Sequence, residues 1–177
     1  FRRLLAGGKR ISITDERMTR FLLTLNDAID LVLYAAAEQR GGEIFVRKAP
    51  AARIVDLARV LSEQANKPLE YDVIGMLPGE KLNEIMLSEE ELIRTEDMGD
   101  YYKIHPWWSA MRLDHLTAEY SSYDNLVEME HIRRLLARAD PDGLAVMADV
   151  DGIRLRIFLH RQPEKHVHPY LGRNRFF

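Results

Sequence analysis

The chain has 177 residues, with 25 Lys and Arg against 28 Asp and Glu, a net charge of −3 and no cysteine. That balance argues against a general nucleic-acid binder, and the missing thiols exclude a disulfide framework and cysteine-ligated zinc. No apolar run approaches the ~20 residues needed to span a bilayer, so the expectation is a cytoplasmic protein with no membrane or nucleic-acid partner. The opening FRRLLAGGKR carries no initiator Met and no signal or cleavage pattern, as expected of a piece cut from a larger chain.

Residues 11–40 form the stretch around which the rest is organised. Ile11 and Ile13 alternate with Ser12 and Thr14, which predicts a half-buried strand. Asp15, Glu16 and Arg17 interrupt the pattern, and Arg20 stands directly before Phe21, Leu22 and Leu23. Asn26 has the chemistry of a helix N-cap, after which Ile29, Val32, Leu33 and Ala36 recur at helical spacing until Gly41-Gly42. An arginine on that shoulder presents a planar fork of donors suited to a phosphate or carboxylate. The competing reading is an exposed ion pair with Asp15 or Glu16, common and individually weak.

Residues 43–46 predict a strand, 53–65 a helix with Ile54, Leu57, Ala58 and Leu61 on one face, and 71–74 a second strand. Together they suggest a strand-helix-strand unit of a parallel α/β sheet. Gly75-Met-Leu-Pro-Gly79 is a tight turn that places Glu80 and Lys81 at the head of a further helical stretch. A glutamate there, past the carboxyl end of a strand, suits hydrogen bonds from sugar hydroxyls. The plainer account has it favouring the positive end of the next helix.

Ser88-Glu-Glu-Glu91 has the form of a capping box. Residues 95–109 read as an irregular loop with Tyr101, Tyr102, Trp107 and Trp108, whose aromatics suit packing better than a stacking platform. Asn125 predicts the start of a helix carrying Met129, Ile132, Leu135 and Leu136. Two alternating runs around Asp151-Gly152 predict a hairpin. The last stretch, RQPEKHVHPYLGRNRFF, has little periodicity and reads as disordered, and its His160, His166 and His168 lack a carboxylate cluster to complete a metal site. There is no Gly-rich strand-to-helix fingerprint, Tyr-x-x-x-Lys helix, serine elbow or P-loop. The residues alone describe a binding surface without a reaction centre.

Four segments in order, ITDERMTRFLLTLNDAIDLVLYA, GGEIFVRKAP, IGMLPGEKLNEIMLSEEE and TEDMGDYYKI, resemble the carboxyl-terminal part of bacterial nucleotide-sugar 4,6-dehydratases and epimerases of polysaccharide biosynthesis. These are extended short-chain dehydrogenase/reductases acting on UDP-N-acetylglucosamine. The likeness covers residues 1–136, with an echo of a Tyr-x-Ser-x-Asn segment at Tyr120, Ser122 and Asn125. It divides the chain into a substrate-binding part, 1–139, and an unmatched tail, 140–177. The fold class it implies is α/β: part of a Rossmann-type domain with its substrate-binding portion and an added β-hairpin tail.

By the same resemblance Arg20 stands where an arginine contacts the UDP diphosphate, and Glu80 where a glutamate holds the uridine ribose. The family places a second diphosphate arginine at the position that is Leu77 here. Losing one charge-assisted bond to phosphate costs roughly 1.5–3 kcal/mol, about one to two decades of affinity. The family's NADP or NAD and its catalytic residues belong to the amino-terminal half, so no catalytic, cofactor-binding or metal residue is assigned in this chain. The implied partners are a UDP-sugar and that missing half, in a homo-oligomeric complete enzyme. A non-catalytic remnant of the family and a UDP-glucose 4-epimerase fragment are the alternatives. A fragment of this kind is also expected to expose apolar surface that the absent half would cover.

Overall fold

A computed structural model describes residues 1–109, 116, 118–139, 144–147 and 156–158. After a short helix, α1 (Arg2–Ala6), the strand expected at its start forms as β1 (Ile11–Ile13), with both isoleucines buried. β2 (Thr19–Thr24) follows and is buried on both faces: Leu22 joins one apolar cluster, Phe21 and Leu23 another. A strand that feeds two cores reads as a continuous apolar run rather than an alternation.

Helix α2 (Leu25–Glu38) begins two residues earlier than Asn26 suggested. Thr24 is the N-cap: its Oγ1 accepts from the Asp27 amide at 3.1 Å, and the Asp27 carboxylate accepts from the Thr24 amide at 3.2 Å. This reciprocal box satisfies two otherwise orphaned donors, which a lone Asn26 would not do. The apolar stripe that marked the helix is its outward face. Leu25, Ile29, Val32 and Leu33 are 46–63% exposed, while Leu31 and Ala35 pack on Phe45.

The expected strand-helix-strand unit is not parallel-paired. β3 (Ile44–Arg47) leads instead to β4 (Ala51–Arg53), which lies antiparallel to β2, with Arg20 opposite Ala52. Pro50 interrupts the first strand, and its carbonyl accepts from the Leu22 amide, so the chain is drawn onto β2 before α3 (Ile54–Gln64) begins. β5 (Tyr71–Val73) then pairs in parallel with β1. Among the described strands the parallel pair is β1 and β5.

β6 (Ile85–Leu87) follows the glycine-rich turn where a helix was expected at Glu80 and Lys81. The capping box at Ser88 starts α4 (Glu89–Leu92) as its sequence indicates. Residues 95–104, expected to be irregular, are a hairpin of β7 (Thr95–Asp97) and β8 (Tyr101–Ile104) closed by Gly99-Asp100. The Gly-Asp pair was its sequence signal.

β9 (Tyr120–Ser121) pairs with β6. α5 (Met129–Arg138) starts four residues after Asn125, because that residue is committed elsewhere. Its carbonyl accepts from the Ala51 amide, and its side-chain amide donates to the Ser121 carbonyl at 2.8 Å.

Two strands of the tail are described, β10 (Leu144–Met147) and β11 (Arg156–Phe158). They do not pair with each other: β10 extends the sheet β10-β2-β4, and β11 extends β11-β3-β8-β7. Each instead adds to the edge of a sheet built by earlier strands. Asp151-Gly152 and the three tail histidines lie outside the described residues. The architecture is mixed α/β, and among the described residues no helix is long and apolar enough to cross a membrane.

Candidate functional site

Arg20 is not on an exposed shoulder. It lies in β2 and is 3% exposed. Its Nε is 3.3 Å from Oε1 of Glu84, and its Nη1 donates to the carbonyls of Thr19 at 2.7 Å and Leu82 at 3.3 Å. The exposed pair considered for it belongs to other residues. Arg17 takes Asp15 at 2.7 Å, holding that carboxyl down at about 2 through their hydrogen bonds. Glu16 accepts from the Tyr71 hydroxyl at 2.6 Å.

Glu84 is itself anchored. Its amide donates to Ser122 Oγ at 2.8 Å, and its carbonyl accepts from the Ser122 amide at 2.8 Å. Thr19 completes the knot: its amide donates to the Leu82 carbonyl at 2.9 Å, and its hydroxyl donates to Asn83 Oδ1 at 2.9 Å and lies 2.6 Å from Ser122 Oγ. Three separate segments, the start of β2, residues 82–84 and the end of β9, are thereby locked around one buried guanidinium–carboxylate pair. A buried charge pair persists only when its remaining donors and acceptors are satisfied in this way.

The loop leading into this knot is held by its own chemistry. The Glu80 amide donates to the Leu77 carbonyl at 3.1 Å, with Pro78 and Gly79 between them and Gly79 at φ +88. That is a type II turn, whose third position favours glycine because a Cβ there is strained. Glu80 Oε2 accepts from the Leu77 amide at 2.9 Å. So Glu80 caps a turn rather than a helix, and Leu77, 55% exposed, sits on the same turn with an aliphatic side chain outward. Glu80 is bonded to Leu77, while Arg20 is bonded to Leu82 and Glu84, two and four residues further on.

A second buried hydrogen-bond pair joins the KAPAA stretch to the Tyr-x-Ser-x-Asn echo. The Tyr120 hydroxyl donates to the Ala49 carbonyl at 2.8 Å and accepts from the Ala49 amide at 2.7 Å. Burial pushes this phenol up to about 12. Beside it, Lys48 bonds Asp97 at 2.6 Å and lies 4.4 Å from the Tyr102 ring centre, and Arg47 bonds Asp27 at 3.0 Å. These cations are occupied by structural partners.

No group of three or more His, Asp or Glu suited to a metal occurs among the described residues. Gly7-Gly8 follows the helix α1 and Gly41-Gly42 joins α2 to β3, so neither is the strand-to-helix turn that cradles a dinucleotide. These residues do not fit an NADP or NAD site.

Residues 1–106 match the family model described as polysaccharide biosynthesis protein. The chain belongs to that family. Relatives of the chain include UDP-glucose 4-epimerase of Rickettsia canadensis (strain McKiel), 44% identical over 97 residues, covering 55% of this chain and 28% of the relative. UDP-glucose 4-epimerase of Rickettsia felis (strain ATCC VR-1525 / URRWXCal2) is 46% identical over 96 residues, covering 54% and 28%. The X-ray structure of Pen from Bacillus thuringiensis matches with a TM-score of 0.70 at 28% identity, over 77% of this chain and 43% of that one. The chain thus spans about a quarter of the length of these curated relatives and corresponds to part of the family's domain. Sequence reasoning missed Thr19, Asn83 and Glu84. The one available signal was the Tyr120, Ser122, Asn125 echo, which marks the segment that grips Glu84.

Proposed function

We propose that this chain is the UDP-sugar-binding part of a nucleotide-sugar 4,6-dehydratase or epimerase of bacterial capsule or O-antigen biosynthesis. The observation that carries this reading is the buried Arg20 locked to residues 82–84, the segment that follows in sequence the turn of Leu77 and Glu80. In this role Arg20 supplies the positive charge for the diphosphate, and Glu80 accepts hydrogen bonds from the ribose hydroxyls. A diphosphate at Arg20 competes with Glu84 for the same guanidinium, so affinity depends on how far that pair yields. Leu77 adds no charge where the family carries its second diphosphate arginine.

The preferred sugar is UDP-N-acetylglucosamine. The name UDP-glucose 4-epimerase carried by relatives above 40% identity favours UDP-glucose as the second reading. Redox chemistry by NADP or NAD is supplied by the amino-terminal half of such an enzyme, in a cytoplasmic homo-oligomer. The residues of this chain bind and orient the substrate.

The test is calorimetric titration of UDP into this chain, alone and mixed with an amino-terminal half from the family. Leu77→Arg is expected to tighten binding by about one to two decades, and Arg20→Ala to abolish it under conditions where circular dichroism shows that variant still folded. Competition between UDP-N-acetylglucosamine and UDP-glucose then ranks the sugars. Absence of heat in every combination would leave a folded relic of the family and overturn the proposal.

A further inference from the structure

The match to the family model ends at residue 106, yet β10, from well beyond it, pairs with the strand that carries Arg20. β4 and β10 grip β2 at different ends. β4 lies opposite Thr19, Arg20 and Phe21, and β10 opposite residues 21–24. β10 runs towards Arg20, with Leu144 opposite Thr24 and Met147 opposite Phe21.

The partners of β2 show which way each of its backbone groups points. The Leu22 amide donates to the Pro50 carbonyl, on the β4 side. Successive residues of an antiparallel strand turn their N–H and C=O groups to opposite edges. Phe21 and Leu23 therefore face β10, where Met147 and Ala145 form the bonded rungs. Thr19 faces the same edge, and there its amide meets the Leu82 carbonyl at 2.9 Å. The Thr19 carbonyl accepts from Arg20 Nη1 at 2.7 Å, and the same Nη1 donates to the Leu82 carbonyl at 3.3 Å. The guanidinium is thus drawn to the edge that β10 covers. It rests one rung past Met147, about 7 Å along the strand.

We propose that β10 is part of the anion site: its rungs at Ala145 and Met147 position the Thr19–Leu82 junction on which the Arg20 guanidinium rests. The functional meaning of this role rests on the reading of Arg20 as the cation for a diphosphate. Residues 1–139 are then not a self-sufficient binding part, and a strand beyond the family match completes them. The reason is mechanical. Pro50 has no N–H to return to the Leu22 carbonyl, so past Phe21 the β4 edge holds β2 through the Leu22 amide. The rungs to β10 fix the opposite edge. If that edge shifts, the Thr19 carbonyl moves relative to the Leu82 carbonyl, and one Nη1 no longer serves both.

The experiment is hydrogen exchange, read at single amides, on the full chain and on three proline variants. Proline at 145 or 147 removes an N–H that faces β2. Proline at 146 removes one that faces away, which an edge strand tolerates; among the described residues β10 is such an edge. Thr19 exchange, taken relative to that of the buried Val60 in α3, should rise in Met147→Pro and Ala145→Pro. The expected rise is roughly tenfold, the measure of one lost hydrogen bond. Val146→Pro should keep the parent value. The Val60 reference separates loosening at the site from a general loss of stability, and Met147→Pro decides the matter even where Ala145→Pro fails to fold. A Thr19 rise no larger than that of Val60, or an equal rise in Val146→Pro, would overturn the inference. UDP titration of the same proteins tests the underlying reading: affinity should fall by roughly tenfold in Met147→Pro and hold in Val146→Pro. No heat in any variant, beside a selective rise at Thr19, would reject the diphosphate reading and uphold the positioning role of β10.

Discussion

Replacing Arg20 by Met keeps the length of the side chain but removes its charge, and leaves the Glu84 carboxylate in a position where its side chain is only 10% exposed. Removing one member of a buried ion pair costs about 3–5 kcal/mol, because the remaining charge stays desolvated without its partner. The same change takes a donor from the carbonyls of Thr19 and Leu82, which places the expectation in the upper part of that range. Domains of ordinary stability have only about 5–15 kcal/mol in total, so the variant should be close to unfolding. Glu84→Leu made in the same background removes the desolvated carboxylate, and the double variant should return to within roughly 2 kcal/mol of the parent. Urea denaturation of the parent, the two single variants Arg20→Met and Glu84→Leu, and the double variant, with the slope checked for constancy, gives the coupling energy directly. A cost below about 1 kcal/mol for Arg20→Met, or strict additivity of the two changes, would show that the pair does not hold these segments together.

Tyr120→Phe should cost about 2–3 kcal/mol in the same assay, since it leaves the buried Ala49 amide and carbonyl without their partner. The hydroxyl also sets an alkaline limit. Its folded pKa, about 12, lies above the unfolded value near 10, so its contribution is complete below pH 10 and is lost as pH rises towards 12. Tyrosinate absorbance followed against unfolding should show this phenol ionising late. Gly42→Ala should cost about 1–2 kcal/mol for the left-handed backbone alone. It should also shift tryptophan emission, because at φ +86 the new methyl meets Trp108. An unchanged emission spectrum would mean that this ring does not cover Gly42.

Local signals were legible wherever a few neighbouring residues satisfy one another. The Ser88 box, β1 and α3 form within a residue or two of where the pattern places them, since a cap or an alternating run is complete within its own segment. α2 was visible, but its start was misplaced: Thr24 and Asp27 form the pair that a search centred on Asn26 overlooked. The hairpin of β7 and β8 was hidden because Tyr101 and Tyr102 suggested aromatic clutter and the Gly99-Asp100 turn between them and Asp97 went unread.

By itself the sequence determined the mixed α/β class, the order of family motifs, and the residue types available for an anion and a sugar. Family membership could be read because several short motifs recur in order, which does not depend on knowing how they pack. Only the tertiary structure decided what those residues do. The Arg20 partner, Glu84, is 64 positions along the chain in the register of contacts that also joins Thr19 to Asn83, and no local pattern encodes a pairing at that separation. The same holds for β3, whose partners are β8 and β11 rather than β5, and for the α2 stripe. Periodicity establishes that a helix has an apolar face. Whether the face is covered depends on which other segments reach it, and in this fold Leu31 and Ala35 meet Phe45 while Ile29, Val32 and Leu33 face outward.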